Sequence, residues 1–286
     1  MAEYVDHTLR RPEDVESKLR LRTLASVPRL SAQAVNTVKG LLAAGKAEAR
    51  RLPAGESGVE TTRPAGEPLA LAVPSEVVDL LDYQDLPDRL LLTVEGSQEL
   101  PRVVALTSCY SGEGVTTVAS HLATLLAANA DGRVLFVDAN LRRPSAHLVF
   151  GVNVSPGLTE FLVDGQSSAE IVQPSGVPNL DVVTAGERNI SFSRKSEFKA
   201  LHDLVGQWRS KYRFVLLDTP AVRGGMFAGL LGGLVDGVVL VVEAERVRWE
   251  VVRRVHERLV RARANVLGVA LNKRRFYIPE WLYKRL

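Results

Sequence analysis

The 286-residue sequence contains one cysteine, Cys109, and so cannot form an internal disulfide. A lone thiol suits a reducing compartment. The five histidines are scattered without the spacing of metal ligands, which argues against a histidine metal centre. No uninterrupted apolar run reaches about 18 residues, the length a membrane-spanning helix needs. The nearest, Ala228 to Val242, is broken by Asp236 and rich in glycine, and reads as a loop or short helix leading into a buried strand. The first residues, MAEYVDHTLRR, lack the apolar core of a signal peptide. These absences lead to the expectation of a soluble, cytoplasmic protein.

What is present is ordinary for a globular chain: 46% hydrophobic and 24% charged residues. The length accommodates one large α/β domain with appendages, or two modest domains. The net charge of +3 conceals segregation. Residues 1–52 hold 10 basic and 6 acidic residues, a balance of +4; residues 53–101 hold 2 and 10, a balance of −8; residues 272–286 hold 5 and 1, again +4. Such asymmetry fits anionic partners at the chain ends, or solvated helix faces.

In chain order, Pro12-Glu13-Asp14 opens a short amphipathic helix, with proline and acids in the first turn. A second helix is expected from Ser31 to about Leu52, its apolar face formed by Ala34, Val35, Val38, Leu41 and Leu42. Residues 1–52 thus read as a helical N-terminal extension and 53–73 as a flexible linker rich in Gly, Pro, Glu, Ser and Thr. The acidic, Leu-rich stretch 74–95 is expected to pack as one or two helices on the main domain, which extends to residue 272.

From Arg102 onward, strands and helices alternate. Strands are expected at Val103–Thr107, Val134–Val137, Leu180–Thr184, Phe214–Leu217, Gly237–Val242 and Val266–Leu271. Helices are expected at Val115–Asn129, Leu158–Val163, Ala169–Val172, Ser196–Lys211 and Val247–Arg263. Apolar strands alternating with helices indicate a doubly wound α/β fold: a mainly parallel sheet with helices on both faces. Ligands of such sheets sit at the carboxyl ends of the strands, the edge to which Cys109–Gly114, Asp138 and Asp218 all fall.

The loop SCYSGEGVTT, residues 108–117, lies between a strand and a helix start. Its glycines, Gly112 and Gly114, allow close backbone approach to a phosphate, and the helix N-terminus adds positive potential. The Thr116 hydroxyl is placed to reach Mg²⁺. Asp218 follows a hydrophobic strand, as a carboxylate holding Mg²⁺ or its water shell does; Asp218-Thr219-Pro220 is also an ordinary strand end. Asp138-Ala139-Asn140 has the same two readings, magnesium site or cap. A complete phosphate-binding loop carries lysine before its threonine. Here that residue is Val115.

The segments SCYSGEGVTT (108–117), VLFVDANLRRPSAHLVFG (134–151), GLTEFLVDG (157–165), VPNLDVVTAG (177–186), FVLLDTPAV (214–222), LVDGVVLVVEA (234–244) and VLGVALN (266–272) resemble the bacterial tyrosine kinases that regulate capsule and exopolysaccharide assembly. These belong to a wider deviant-Walker, P-loop group that includes partition and septum-site ATPases. Residues 5–30 resemble the juxtamembrane segment joining a polysaccharide co-polymerase's last membrane helix to its kinase half, so the chain looks like the cytoplasmic half. The resemblance implies that Gly112, Glu113, Gly114, Val115, Thr116 and Thr117 hold the phosphates of ATP or ADP. It implies that Thr116, Asp138 and Asp218 serve Mg²⁺, with the two aspartates catalytic in an active member. It places Asn272 at an adenine contact and makes Tyr277 and Tyr283 phosphorylation candidates.

The chain departs from that pattern at several points. Ser111 replaces the loop proline, Val115 the loop lysine, and Asn140 the second acid of the second Walker-type motif. The Pro-Asn-Pro stretch after Gly186 and the Glu/Arg-spaced assembly helix before residue 100 are not recognisable, and the tyrosine-rich tail is reduced to Tyr277 and Tyr283. Losing one charge-assisted phosphate contact costs about 1.5–3 kcal/mol, roughly ten- to a hundredfold in affinity. Phosphoryl transfer depends almost wholly on positioning and electrostatics, so the missing lysine costs turnover more than binding.

The expectation is a degenerate kinase-like regulator or scaffold of exopolysaccharide assembly. It would bind a membrane co-polymerase from the inner face of the membrane, with weakened or lost ATP/ADP and Mg²⁺ binding. An active autokinase and a partition- or septum-type ATPase are the alternatives. The basic-aromatic tail, 273–286, suits a membrane surface, an acidic partner, docking on the domain or phosphorylation. No nucleic-acid motif accompanies its charge. Homo-oligomerisation is left open.

Overall fold

The computed structural model describes residues 7–28, 102–129, 131–188, 195–222 and 233–275, with the single positions 87 and 190. The helix expected at 31–52, the linker, the stretch 74–95 and the tail tyrosines Tyr277 and Tyr283 lie outside the described residues.

The chain runs α1 (Pro12–Leu19), β1 (Thr23–Pro28), β2 (Val103–Ser108), α2 (Val115–Asn129), β3 (Val134–Asp138), α3 (Ala146–Phe150) and α4 (Leu158–Asp164). It continues through β4 (Val172–Pro174), β5 (Leu180–Val183), α5 (Lys195–Lys211), β6 (Phe214–Asp218), β7 (Gly237–Glu243), α6 (Trp249–Arg261) and β8 (Val266–Arg274). Among the described residues the strands form one sheet in the order β1-β8-β7-β2-β6-β3-β5-β4. Every pairing is parallel except β4 with β5. The doubly wound α/β architecture is therefore as the alternating pattern implies.

Side-chain alternation explains why the central strands are apolar throughout. Val103 and Ala105 of β2, Leu135 and Val137 of β3, Val215 and Leu217 of β6, and Val238 and Leu240 of β7 pack into one core. That core is covered by α1, α5 and α6 through residues such as Val15, Trp208 and Leu259. The intervening residues, Val104, Leu106, Phe136, Leu216 and Val239, point into a second core against α2, through Val118, Leu122 and Leu126. Each fully buried aliphatic side chain contributes about 1.5–3 kcal/mol, so a strand apolar on both faces is held from both sides.

Three local differences from the sequence expectations stand out. The N-terminal region is helical only at α1; Thr23–Pro28 is an edge strand of the sheet, parallel to β8. Leu24, Ala25 and Val27 are buried there, so this segment is part of the α/β domain rather than a separate helical extension. The six residues Thr-Leu-Ala-Ser-Val-Pro are too short and mixed to give a clear strand pattern, and pairing with β8 fixes their conformation. The helix expected at Ala169–Val172 is a turn that leads into β4, where antiparallel pairing with β5 prevails. The five-residue α3 is too short to show a period and was not expected.

The β1–β8 contact depends on Gly268. A Cβ at this position would sit 2.6 Å from the Arg22 carbonyl oxygen and 2.7 Å from Leu24 Cγ, while the Val269 N–H donates to that same carbonyl at 2.9 Å. Gly268→Ala is expected to cost about 1–3 kcal/mol by overpacking. The expected result is a lower urea midpoint with faster tryptic cleavage at Arg20 and Arg22; unchanged cleavage would show that β1 is not held this way.

Candidate functional site

Parallel pairing aligns the functional ends of five strands. β3 and β6 are in register with Asp138 opposite Asp218. β2 lies on the far side of β6 and feeds the 109–114 loop, while β7 and β8 align Glu243 with Asn272. The sheet therefore brings the loop, Asp138, Asp218 and Asn272 to one edge.

The loop is folded by its own acid. Glu113, almost fully buried, accepts the Tyr110 N–H at 2.6 Å and the Glu243 N–H at 3.2 Å. The Ser108 hydroxyl donates to the Tyr110 carbonyl at 2.7 Å, and the Asn272 side-chain amide donates to the Glu113 carbonyl at 2.8 Å. Burial pushes the Glu113 carboxyl up to about 7, against the two backbone donors that pull it down. Gly112 and Gly114 have φ of +91° and +94°, the region that glycine adopts freely. At Gly114 a Cβ would also collide with the Asn272 amide. α2 then begins, with the unpaired N–H groups of its first turn directed at the loop.

Val115 starts α2, but its side chain is buried in the core beneath the sheet, beside Val118 and Leu106. Thr116 faces the site instead. Its hydroxyl donates to Asp218 Oδ2 at 2.5 Å and receives the Ser145 hydroxyl at 3.2 Å.

The two aspartates are both buried, yet their surroundings differ. Asp138 Oδ1 accepts the Asn140 N–H at 3.0 Å, and Oδ2 accepts the Ser145 and Ala146 N–H groups at 2.9 and 3.0 Å. Those bonds shape the 139–146 turn, and they oppose the upward push of burial on the carboxyl. Asp218 has only the Thr116 hydroxyl on Oδ2, and its buried Oδ1 has no partner among the described residues. Burial first, and the Asp138 charge second, push Asp218 up to about 8. An orphaned, buried carboxylate oxygen beside a threonine hydroxyl fits a hard cation such as Mg²⁺, which takes oxygen donors. Asp138, with three backbone donors already on it, is placed to organise the turn.

Two participants have no obvious signal in the sequence. Glu243 ends β7, and Lys273 belongs by composition to the basic tail. In the fold, the Lys273 ammonium donates to the Gly112 carbonyl at 2.7 Å and to Glu243 Oε2 at 3.1 Å. Only the register of β7 and β8 brings these residues to the loop. Among the described residues no helix is long and apolar enough to cross a membrane.

Known proteins resemble this chain in sequence and in fold. No family model matches the chain. The tyrosine-protein kinase YwqD of Bacillus subtilis is 32% identical over 169 residues, which cover 59% of this chain and 71% of that protein. The putative tyrosine-protein kinase EpsB of Ralstonia solanacearum is 29% identical over 262 residues, 91% of this chain but 32% of the longer relative. The solved BceF tyrosine kinase domain superposes with a TM-score of 0.70 at 24% identity, covering 93% of this chain and 98% of that one, a likeness of fold. The chain belongs to the bacterial tyrosine-protein kinase family.

The Asp218 environment has a measurable consequence. Because its folded pKa is raised, the carboxyl's contribution to stability is fully present below its unfolded value near 4 and is lost as pH rises towards 8. Glu113, raised to about 7, acts in the same direction. Thermal melts without nucleotide or Mg²⁺ are expected to show stability falling between pH 5 and 8. Asp218→Asn should flatten that slope and raise the pH 8 midpoint by at least about 2–4 °C, the equivalent of roughly 1 kcal/mol in a domain of this size. A variant less stable than wild type at pH 8 would contradict the assignment.

Proposed function

We propose that this protein is a degenerate member of the bacterial tyrosine-kinase family that binds nucleotide weakly and regulates exopolysaccharide or capsule assembly, with little phosphoryl transfer of its own. The observation that carries the reading is Val115. It stands where the family's loop lysine stands, and it is an uncharged side chain packed in the core. Such a loop offers backbone N–H groups and a helix dipole to an anion, without the charge that matters most as phosphoryl transfer proceeds.

Thr116 and Asp218 are the residues that would hold Mg²⁺, with Asp138 as support. When bound, the ion neutralises phosphate charge. The chain's own contribution is positional. Glu113 and Asn272 fix the loop, Asp138 fixes the turn that presents Ser145, and Thr116 ties α2 to β6. Asn272, the adenine contact the resemblance implies, packs against Gly114 and has its amide committed to the Glu113 carbonyl and the Lys273 N–H.

The reading extends to partners through the family. Residues 5–30 look like a juxtamembrane segment, and described residues 7–28 dock on the domain through β1 and α1, which fits attachment to a membrane co-polymerase on the inner face of the membrane. Tyr277 and Tyr283 remain the candidates for phosphorylation, by this chain or by another kinase.

The test is purified full-length protein with ATP and Mg²⁺, assayed for nucleotide turnover and by phosphotyrosine blot, beside Asp218→Asn. Wild type is expected to give no phosphotyrosine signal above that variant. Robust phosphorylation that disappears in Asp218→Asn would identify an active autokinase instead.

A further inference from the structure

We infer that Lys273 supplies the phosphate cradle with the cation that Val115 does not, so that a nucleoside di- or triphosphate is held by a lysine from the end of β8. This inference rests on the nucleotide-binding part of the reading above and adds a specific binding residue to it.

Position is the first argument. The Lys273 ammonium sits on the loop itself, 2.7 Å from the Gly112 carbonyl oxygen. Its Cε lies 3.9 Å from where a Cβ on Gly114 would be. These two glycines flank Glu113 in the segment whose backbone would face phosphate. The side chain is about one-third exposed, at the rim rather than in the core.

Backbone geometry is the second. Lys273 has φ of +56°, a left-handed conformation uncommon for a residue with a Cβ. Asn272 supports it by accepting the Lys273 N–H on Oδ1 at 2.8 Å while its amide holds the Glu113 carbonyl at 2.8 Å. One asparagine thus couples the strand end to the loop, and the local turn returns the lysine stem over the cradle. Costly backbone conformations persist only where the surrounding structure fixes them.

Charge balance is the third. Glu243 is paired with two cations, Arg246 Nη1 at 2.7 Å and Lys273 Nζ at 3.1 Å. If Lys273 turns to a phosphate, Glu243 keeps Arg246 and no carboxylate is stranded. The ammonium carries three donors on a flexible four-carbon stem, and two of the three have acceptors here. Exchanging a carbonyl and a shared carboxylate for a phosphate oxygen therefore demands only rotation of that stem.

The experiment titrates the full chain with fluorescent N-methylanthraniloyl (mant) ATP and Mg²⁺, comparing wild type, Lys273→Met, Lys273→Arg and the Lys273→Met/Val115→Lys double variant, each checked by thermal melt. Lys273→Met is expected to weaken binding about 10- to 100-fold. Lys273→Arg should retain most of the affinity, and Val115→Lys should restore it in the Met background. Mant-adenosine, which has no phosphate, separates phosphate binding from a structural effect: Lys273→Met should leave its binding unchanged. Equal ATP affinity in wild type and Lys273→Met, or equal losses for ATP and adenosine, would overturn the inference and leave the nucleotide reading standing. Wild type without detectable binding at millimolar nucleotide would overturn both.

Discussion

Two carboxylates, Asp138 and Asp218, meet at the buried ends of adjacent parallel strands, and much of the site follows from how each is accommodated. Placing two charges side by side in a low-dielectric interior is unfavourable unless something compensates each one. Asp138 is compensated by three backbone N–H groups, which also fold the 139–146 turn. Asp218 receives only the Thr116 hydroxyl and is held up at about 8. Burial and the neighbouring charge hold that carboxyl towards its protonated form, an imbalance that a proton or a divalent cation would relieve. The fold therefore contains a buried, poorly compensated carboxyl that the proposed Mg²⁺ would stabilise.

The loop above it follows the opposite strategy and satisfies itself. Glu113 is turned inward to hold Tyr110 and Glu243, and Asn272 ties the loop to β8. This keeps the cradle shaped without a lysine at position 115, where valine packs with Leu106 and Val118. The loop thus keeps its form with valine at position 115.

Much of this was legible from sequence. The apolar strands, the glycine loop and the positions of Asp138 and Asp218 after their strands are local signals, and the alternating order dictates a parallel sheet whose ligand edge is known in advance. What was not legible depends on pairing between distant segments. β1 exists because Gly268 admits the Arg22 backbone, a property of two segments about 245 residues apart. Lys273 reads as one more basic residue of a tail until the register of β7 with β8 brings it beside Glu243 and the loop. The different surroundings of Asp138 and Asp218 were hidden as well, since both follow four apolar residues and only the backbone N–H groups of the 139–146 turn tell them apart.

The proposed function requires Asp218 to be a metal-ready carboxyl in a nucleotide site. Calorimetric titration of the wild-type chain with ADP and Mg²⁺ at pH 7, repeated in buffers of different ionisation enthalpy, tests this directly. Binding is predicted to release between about 0.5 and 1 proton, because a carboxyl with a pKa near 8 must lose its proton when the cation binds. Binding with no proton release, or no binding at millimolar ADP, would contradict it.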